Sequence, residues 1–243
     1  MKLKIVTITG ADDHNNPKQM AELSDKYPFV EWGILYSRSQ EGGPRFPSKD
    51  WLQTKFATVK RNSSMQTSGH ICGKWMRDIC KGNWTPFAME AGAWGQMDRF
   101  QINFGSSIIK VDINLFEANL PDPCPTQIIL QIDNRPKSIE VYERLKHTGK
   151  VAPFYDQSAG IGRLPDKWEP PLSNWQGYAG GLSPANVQHH LTLIDKVVPE
   201  DYSIWIDVET HVHTDRVGLD MKAVESFLKA TKPWVYSNTN TGG

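Results

Sequence analysis

The sequence predicts an α/β fold: a single (β/α)8 TIM barrel over residues 1–234, followed by a short C-terminal tail, 235–243. Three observations predict it. Strand-like runs alternate with helix-like runs along nearly the whole chain. Eight such units occupy about 240 residues, against the roughly 250 typical of this barrel. The turn after the first strand, Gly10-Ala-Asp-Asp-His14, lacks the Gly-rich pattern that a dinucleotide-binding open sheet places there.

The elements follow in order. Lys4–Gly10 is β-rich, and Asn16-Pro17 opens a helix to Lys26 with proline at its first position. Val30–Ser37 is the second strand and Pro47–Thr58 its helix. Met65–Gly73 is the third, followed by Lys74–Lys81. Asn83–Arg99 is long for a connection and rich in aromatics, which suits a lid over the site or a subunit contact. Phe100–Gly105 is the fourth strand, with Leu115–Leu120 after it. Gln127–Asp133 is the fifth, with helix Ser138–His147. Val151–Gln157 is the sixth, followed by a Gly/Pro-rich loop. Gln176–Leu182 precedes helix Asn186–Val198, whose Val187, Leu191, Ile194 and Val198 share a face. Tyr202–Glu209 is the eighth strand. Asp220–Ala230 is the last helix, with Met221, Val224, Phe227 and Leu228 on one face. Val235–Gly243 reads as a loose tail.

Composition narrows the function classes. Hydrophobic residues make up 39% and charged residues 22%, enough for a sizeable core. Lys+Arg and Asp+Glu both number 27, so the formal charge is zero and no broad nucleic-acid footprint is expected. No apolar run approaches a membrane span, and Met1–Ile5 has no signal-peptide character, so a cytoplasmic protein is expected. Cys72, Cys80 and Cys124 have no metal-ligand spacing, and their odd number fits a reducing compartment. Neither cofactor nor metal is expected, and a monomer and a homodimer stay equally open.

In such a barrel the C-terminal strand ends carry function. They bring together Thr9, Asp12, Asp13, Arg45, His70, Cys72, Asn103, Gln131, Asp133, Asp156, Gly180, Gly181, Asp207 and Glu209. Within Gly177–Val187 a short strand runs into Gly180-Gly181, and a helix starts just beyond. Paired glycines let a ligand reach the backbone, and the helix start offers free N–H groups to an anion. A plain tight turn is the other reading.

The order of motifs resembles phosphoribosylanthranilate isomerase, distantly but over nearly the whole chain. The family's Lys-Ile-Cys-Gly strand end is similar to Thr7-Ile8-Thr9-Gly10, and its Arg-Tyr-x-Ser turn to Arg45-Phe46-Pro47-Ser48. Its Val-Gln-Leu-His strand resembles Phe100-Gln101-Ile102-Asn103. Its Leu-Asp before a Gly-rich loop resembles Tyr155-Asp156, with Gly160, Gly162 and Arg163 following. Its Gly-Gly-Leu-x-Pro-x-Asn-Val matches Gly180–Val187, the most specific correspondence. Asp207-Val208 keeps the start of its last strand end, Asp-Val-Ser-Ser-Gly, and Glu209-Thr210-His211 replaces the rest.

The resemblance implies an Amadori-type isomerase, or a lyase, acting on a phosphorylated, ribose-containing small molecule. Asp156 takes the part of the general acid. Thr9 stands where the family has its basic cysteine; a neutral threonine needs help in that role, so Asp12 or Asp13 is the expected carboxylate base. Gly180 and Gly181 seat the phosphate, with Glu209 in place of the second phosphate turn. Arg45 clamps the far end of the ligand, as the family's matching turn does for a carboxylate. His70 and Asn103 face the ligand; for His70 a satisfied buried histidine is the competing reading. Arg163 either reaches the ligand or is a solvated loop charge. A barrel that has lost catalysis and only senses or sequesters a nucleotide-like molecule is the alternative. His211-Val212-His213 with Asp12, Asp13 and Glu209 contains metal-ligand types, but its polar loop favours ordinary solvated histidines. Glu31, at the start of the second strand, reads as a structural carboxylate at the barrel bottom.

Overall fold

A computed structural model describes residues 1–92, 95–121, 127–133, 135–158, 161–214 and 218–236. Eight parallel strands close into one barrel in sequence order. They are β1 (Lys2–Thr9), β2 (Val30–Tyr36), β3 (Gln66–Ile71), β4 (Arg99–Ile102), β5 (Ile128–Ile132), β6 (Val151–Tyr155), β7 (Trp175–Tyr178) and β8 (Ser203–Val208). β1 pairs with both β2 and β8, closing the ring through Val6 opposite Val30 and Val6 opposite Ile206.

Helices Pro17–Lys26, Pro136–Leu145, Val187–Asp195 and Met221–Thr231 lie within a few residues of where the sequence placed them. Their starts are chemically marked. The Asn16 side chain accepts from the Lys18 N–H, and Asp220 accepts from Lys222 and Ala223. The long connection before β4 contains a helix, Thr85–Glu90, that its aromatic composition did not announce. Pro47–Thr58, expected to be one helix, instead contains a wide π-type segment at Trp51–Phe56 that runs into the helix Ala57–Lys60. No helix follows β6 among the described residues of 156–174, where the sequence placed a Gly/Pro-rich loop. At the tail, Val235 bridges Leu3 and the Tyr236 N–H donates to the Leu3 carbonyl, which ties both residues to β1. Residues 237–243 and Cys124 lie outside the described residues. No described helix is long and apolar enough to cross a membrane.

Strand alternation divides the core into two layers. Val6, Ile8, Val30, Ile34, Phe100 and Ile206 belong to a large outer cluster between sheet and helices. A smaller cluster of Ile129, Ala152, Phe154, Ala179 and Trp205 fills one side of the barrel interior. Gly177 makes room there: a Cβ on it would sit 2.2 Å from the Trp205 indole and 2.4 Å from the Phe154 ring. The other side of the interior is polar. Near its N-terminal end Arg99 Nε donates to Glu31 at 2.6 Å, Thr7 Oγ1 donates to Glu31 at 2.8 Å, and the Arg99 guanidinium lies 4.5 Å from the Trp205 ring. Glu31 is thus the structural carboxylate its position implies. The polar side continues upward through Thr9 and His70 to the C-terminal mouth.

Candidate functional site

A cavity of about 290 Å³ opens at the C-terminal mouth. Asp156, just past β6, and Gly180-Gly181, just past β7, both line it, together with Asp207 of β8 and the adjacent Glu209. One hollow therefore joins the acidic strand tip to the twin glycines, which had to hold for either to serve a common ligand. Its wall from β3 to β5 is built of His70, Cys72, Gln101, Asn103 and Gln131. These are the inward positions of strands that alternate in and out, which is why polar residues two apart reach one surface.

Asp156 is held by donors. Gln131 Nε2 donates to its Oδ2 at 3.2 Å, and the Ser158 N–H and Oγ donate to its Oδ1 at 2.9 and 2.6 Å. Asp207 lies deeper, at 7% exposure, and accepts from Thr9 Oγ1 at 2.8 Å. Burial, above all, raises its pKa well above the usual carboxylate value; Glu209, Asp156 and Glu31 add to the rise, while the Thr9 hydrogen bond opposes it. His70 is 2% exposed, with Nδ1 3.9 Å from Asp207 Oδ2 and Nε2 without a hydrogen-bond partner. Burial, with the Arg99 charge in support, lowers its pKa to about 3. Both shifts favour the neutral forms over an ion pair. Cys72 accepts a hydrogen bond from Asn103 Nδ2 at 3.3 Å, and burial pushes its thiol up to about 12, so it enters as a thiol rather than a nucleophile.

Several predicted site residues stand outside the lining. Asp12 is buried and fully used: its Oδ1 accepts from the His14 N–H, and its Oδ2 from the Arg45 N–H at 2.9 Å. Asp13 accepts from the N–H and Oγ of Ser48. Both fasten the loop after β2, Asp12 through a left-handed Arg45 at φ 69°, the one described non-glycine residue with positive φ. Thr9 does not line the cavity and touches it only through Asp207. The Arg45 guanidinium donates to Glu209 at 3.1 Å and is not in the lining. Arg163 is exposed on the loop after β6, outside the wall.

That loop also explains part of the Gly-Gly signal. A Cβ on Gly181 (φ 63°) would sit 2.5 Å from the Leu164 N, and one on Gly180 (φ 112°) 3.0 Å from the Arg163 carbonyl oxygen. The close approach that needs glycine on that side comes from the chain itself. Asn186 completes the turn, accepting from the Ser183 N–H and donating to the Gly181 carbonyl. His211 lines the rim with Nε2 3.2 Å from the Gly162 carbonyl oxygen. His213 is tucked inward against the carbonyls of Glu209 and Gly10 and joins two loops. Among the described residues no group of three or more His, Cys, Asp or Glu is placed to hold a metal ion.

Asp207 and Gln101 are the site members that sequence reasoning undervalued. The signal was their phase: Gln101 shares a side with Asn103, and Asp207 with Glu209.

No protein-family model matches this chain. No curated protein matches it either. Solved structures do. A phosphoribosyl anthranilate isomerase from Thermus thermophilus aligns at a TM-score of 0.58 and 13% identity, over 94% of this chain and 98% of that one. TrpF from Jonesia denitrificans aligns at 0.57 and 15% identity, over 95% and 97%. A phosphoribosyl anthranilate isomerase in complex with reduced 1-(o-carboxyphenylamino)-1-deoxyribulose 5-phosphate aligns at 0.56 and 13%, over 96% and 100%. At these identities the likeness shows the fold: a barrel resembling phosphoribosylanthranilate isomerase from end to end.

Proposed function

We propose that this chain is an acid–base isomerase or lyase acting on a phosphorylated, ribose-containing small molecule bound at the C-terminal mouth. The observation that carries the reading is one cavity lined by two differently placed carboxyl groups, Asp156 and Asp207, and by the Gly180-Gly181 turn. A pair of titratable groups in contrasting environments is the usual equipment for moving a proton on and off a small ligand. The neighbour solved with a deoxyribulose 5-phosphate derivative supports the ligand class.

The geometry redistributes the roles. Asp207, whose pKa burial raises well above the usual carboxylate value, is the proton donor. The Asp156 carboxylate accepts from Gln131 and Ser158 and is the proton acceptor, the reverse of the part its family resemblance implies. Asp12 and Asp13 are loop-fastening groups in this reading. Thr9 orients Asp207 by donating to Oδ1, which leaves Oδ2 to carry the proton. In an Amadori-type step the donor protonates the furanose ring oxygen as its bond to C1 breaks, with the C1 nitrogen's electron pair forming an iminium. The acceptor then removes the C2 proton, and the resulting enol tautomerises to the ketone. No external oxidant or reductant enters. The phosphate would meet the rim at Gly181-Leu182 and Thr210-His211, where Arg45 already offsets the Glu209 charge.

The test is deuterium incorporation in D2O at C2 of ribose 5-phosphate and at C1 of ribulose 5-phosphate, followed by proton NMR. The wild-type protein should catalyse exchange, and Asp156→Asn and Asp207→Asn should each slow it at least ~100-fold. Exchange at wild-type rates in both variants would remove the mechanism.

A further inference from the structure

Three buried polar atoms in the barrel interior have no hydrogen-bond partner among the described residues: Ser68 Oγ, His70 Nε2 and Arg99 Nη1. Their backbones are neighbours. His70 lines the mouth cavity, Ser68 takes the preceding inward position on β3, and Arg99 is the register partner of Ser68 on β4. Their side chains occupy adjoining layers. Arg99 reaches Glu31 through Nε and Nη2, with its guanidinium 4.5 Å from the Trp205 ring. His70 reaches Asp207, two residues beyond Trp205 on β8, with Nδ1 3.9 Å from Oδ2. Its Cε1, the carbon bonded to Nε2, would lie 3.1 Å from a Cβ on Gly33, the other register partner of Ser68. Ser68 is thus flanked by the imidazole and by the guanidinium. Buried polar atoms are seldom left unpaired, and a charged N–H is the costliest kind to leave so.

We infer that one enclosed water molecule joins Arg99 Nη1, Ser68 Oγ and His70 Nε2, and holds His70 as the tautomer whose proton is on Nδ1, facing Asp207. Three partners is the usual number for a buried water. Charge sets the direction of the bonds. Arginine can only donate, so the water accepts from Nη1 and turns its hydrogens away from the guanidinium. A lone pair on Nε2 meets those hydrogens; an N–H there would oppose them. The nitrogen that accepts leaves the proton to the other one. Burial, and then the Arg99 charge, lower the His70 pKa to about 3, which works against a second proton at Nε2. His70 is then a positioning residue. Its Nδ1–H stands beside the oxygen from which Asp207 gives its proton, and the 3.9 Å gap can close onto the carboxylate left behind. That role rests on the proton-donor reading of Asp207; the water and the tautomer do not.

The experiment is long-range proton–nitrogen correlation NMR of the intact, nitrogen-15-labelled protein at pH 7.5, with the His70 signals identified by their loss in His70→Asn. The wild type should show a single tautomer, Nδ1 in the protonated range and Nε2 in the unprotonated range. Ser68→Val replaces the water's hydroxyl partner by a methyl group and should shift His70 to the Nε2–H tautomer or to a mixture of the two. A crystal structure of the wild type should show density within hydrogen-bond distance of all three atoms. The inference is overturned by an Nε2–H tautomer in the wild type, by a tautomer unchanged in Ser68→Val, or by a crystal structure without density between the three atoms. The donor role of Asp207 fails separately: a wild-type protein that catalyses no deuterium exchange removes it, while the tautomer and the density still decide the water.

Discussion

His70 gives the most exacting test of the cavity's electrostatics. The imidazole is almost completely buried in the barrel wall, beside the Asp207 carboxyl group, with the Arg99 charge nearby. Its folded-state pKa of about 3 lies far below the ordinary 6.5. Below pH 6.5 the unfolded chain protonates this histidine while the folded chain does not, so stability is complete above 6.5 and falls as pH drops through it. Each pH unit of the gap is worth about 1.4 kcal/mol. At pH 4.5, two units down, the loss is about 3 kcal/mol, wherever below pH 4 the folded value lies. That is a large share of the ~5–15 kcal/mol that holds a typical domain together. His70→Asn removes the titrating ring. Asp207 acts in the opposite sense, its raised pKa favouring the fold as pH falls, but it is present in both proteins and cancels in the comparison. Urea unfolding of wild type and variant at pH 7.5 and 4.5 measures the difference. The wild type should lose about 3 kcal/mol relative to His70→Asn between the two. A difference constant to within ~0.5 kcal/mol would mean that His70 is charged or open to solvent in the fold, and the neutral wall would have to be abandoned.

Two further outcomes follow from the same interior. Arg99→Met strands Glu31 in the barrel with Thr7 as its one remaining donor among the described residues, and should cost about 3–5 kcal/mol by chemical denaturation, most of it recovered by adding Glu31→Gln; a loss under ~1 kcal/mol would show the pair to be water-exposed. Asp207→Asn keeps an acceptor for Thr9 but cannot ionise. Because the folded pKa of Asp207 is raised, the wild type should lose stability relative to this variant as pH rises above 3.8, read as a melting-temperature gap that widens between pH 4 and pH 9; a gap independent of pH would contradict the burial argument.

The barrel was readable because its signals are local and repeated. Val187, Leu191 and Ile194 fall on one buried helix face, and Asn16-Pro17 and Asp220 mark helix starts whatever surrounds them. What escaped were features decided by tertiary partners. The π-type segment at Trp51–Phe56 carries no sequence mark distinct from an ordinary helix. The site shows the same division. Asp156, His70, Asn103 and Glu209 reach the cavity because strand ends in a barrel converge, a rule of topology. Asp12 and Asp13 looked equally convergent, yet loop geometry turned them to the backbone of Arg45 and Ser48. Arg45 kept its charge but was claimed by Glu209, 164 residues away in sequence, a pairing no local pattern announces. Asp207 was visible as a strand-tip acid; its importance comes from burial, which composition does not report.

The central claim is that Asp156, Asp207 and the Gly180-Gly181 turn serve one bound molecule. A crystal structure of the protein soaked with ribulose 5-phosphate tests it most directly. Phosphate density is expected at the Gly181–Leu182 rim, with sugar carbons between the two aspartates. Density on the outer helices or at the N-terminal end of the barrel, with the mouth empty, would contradict it.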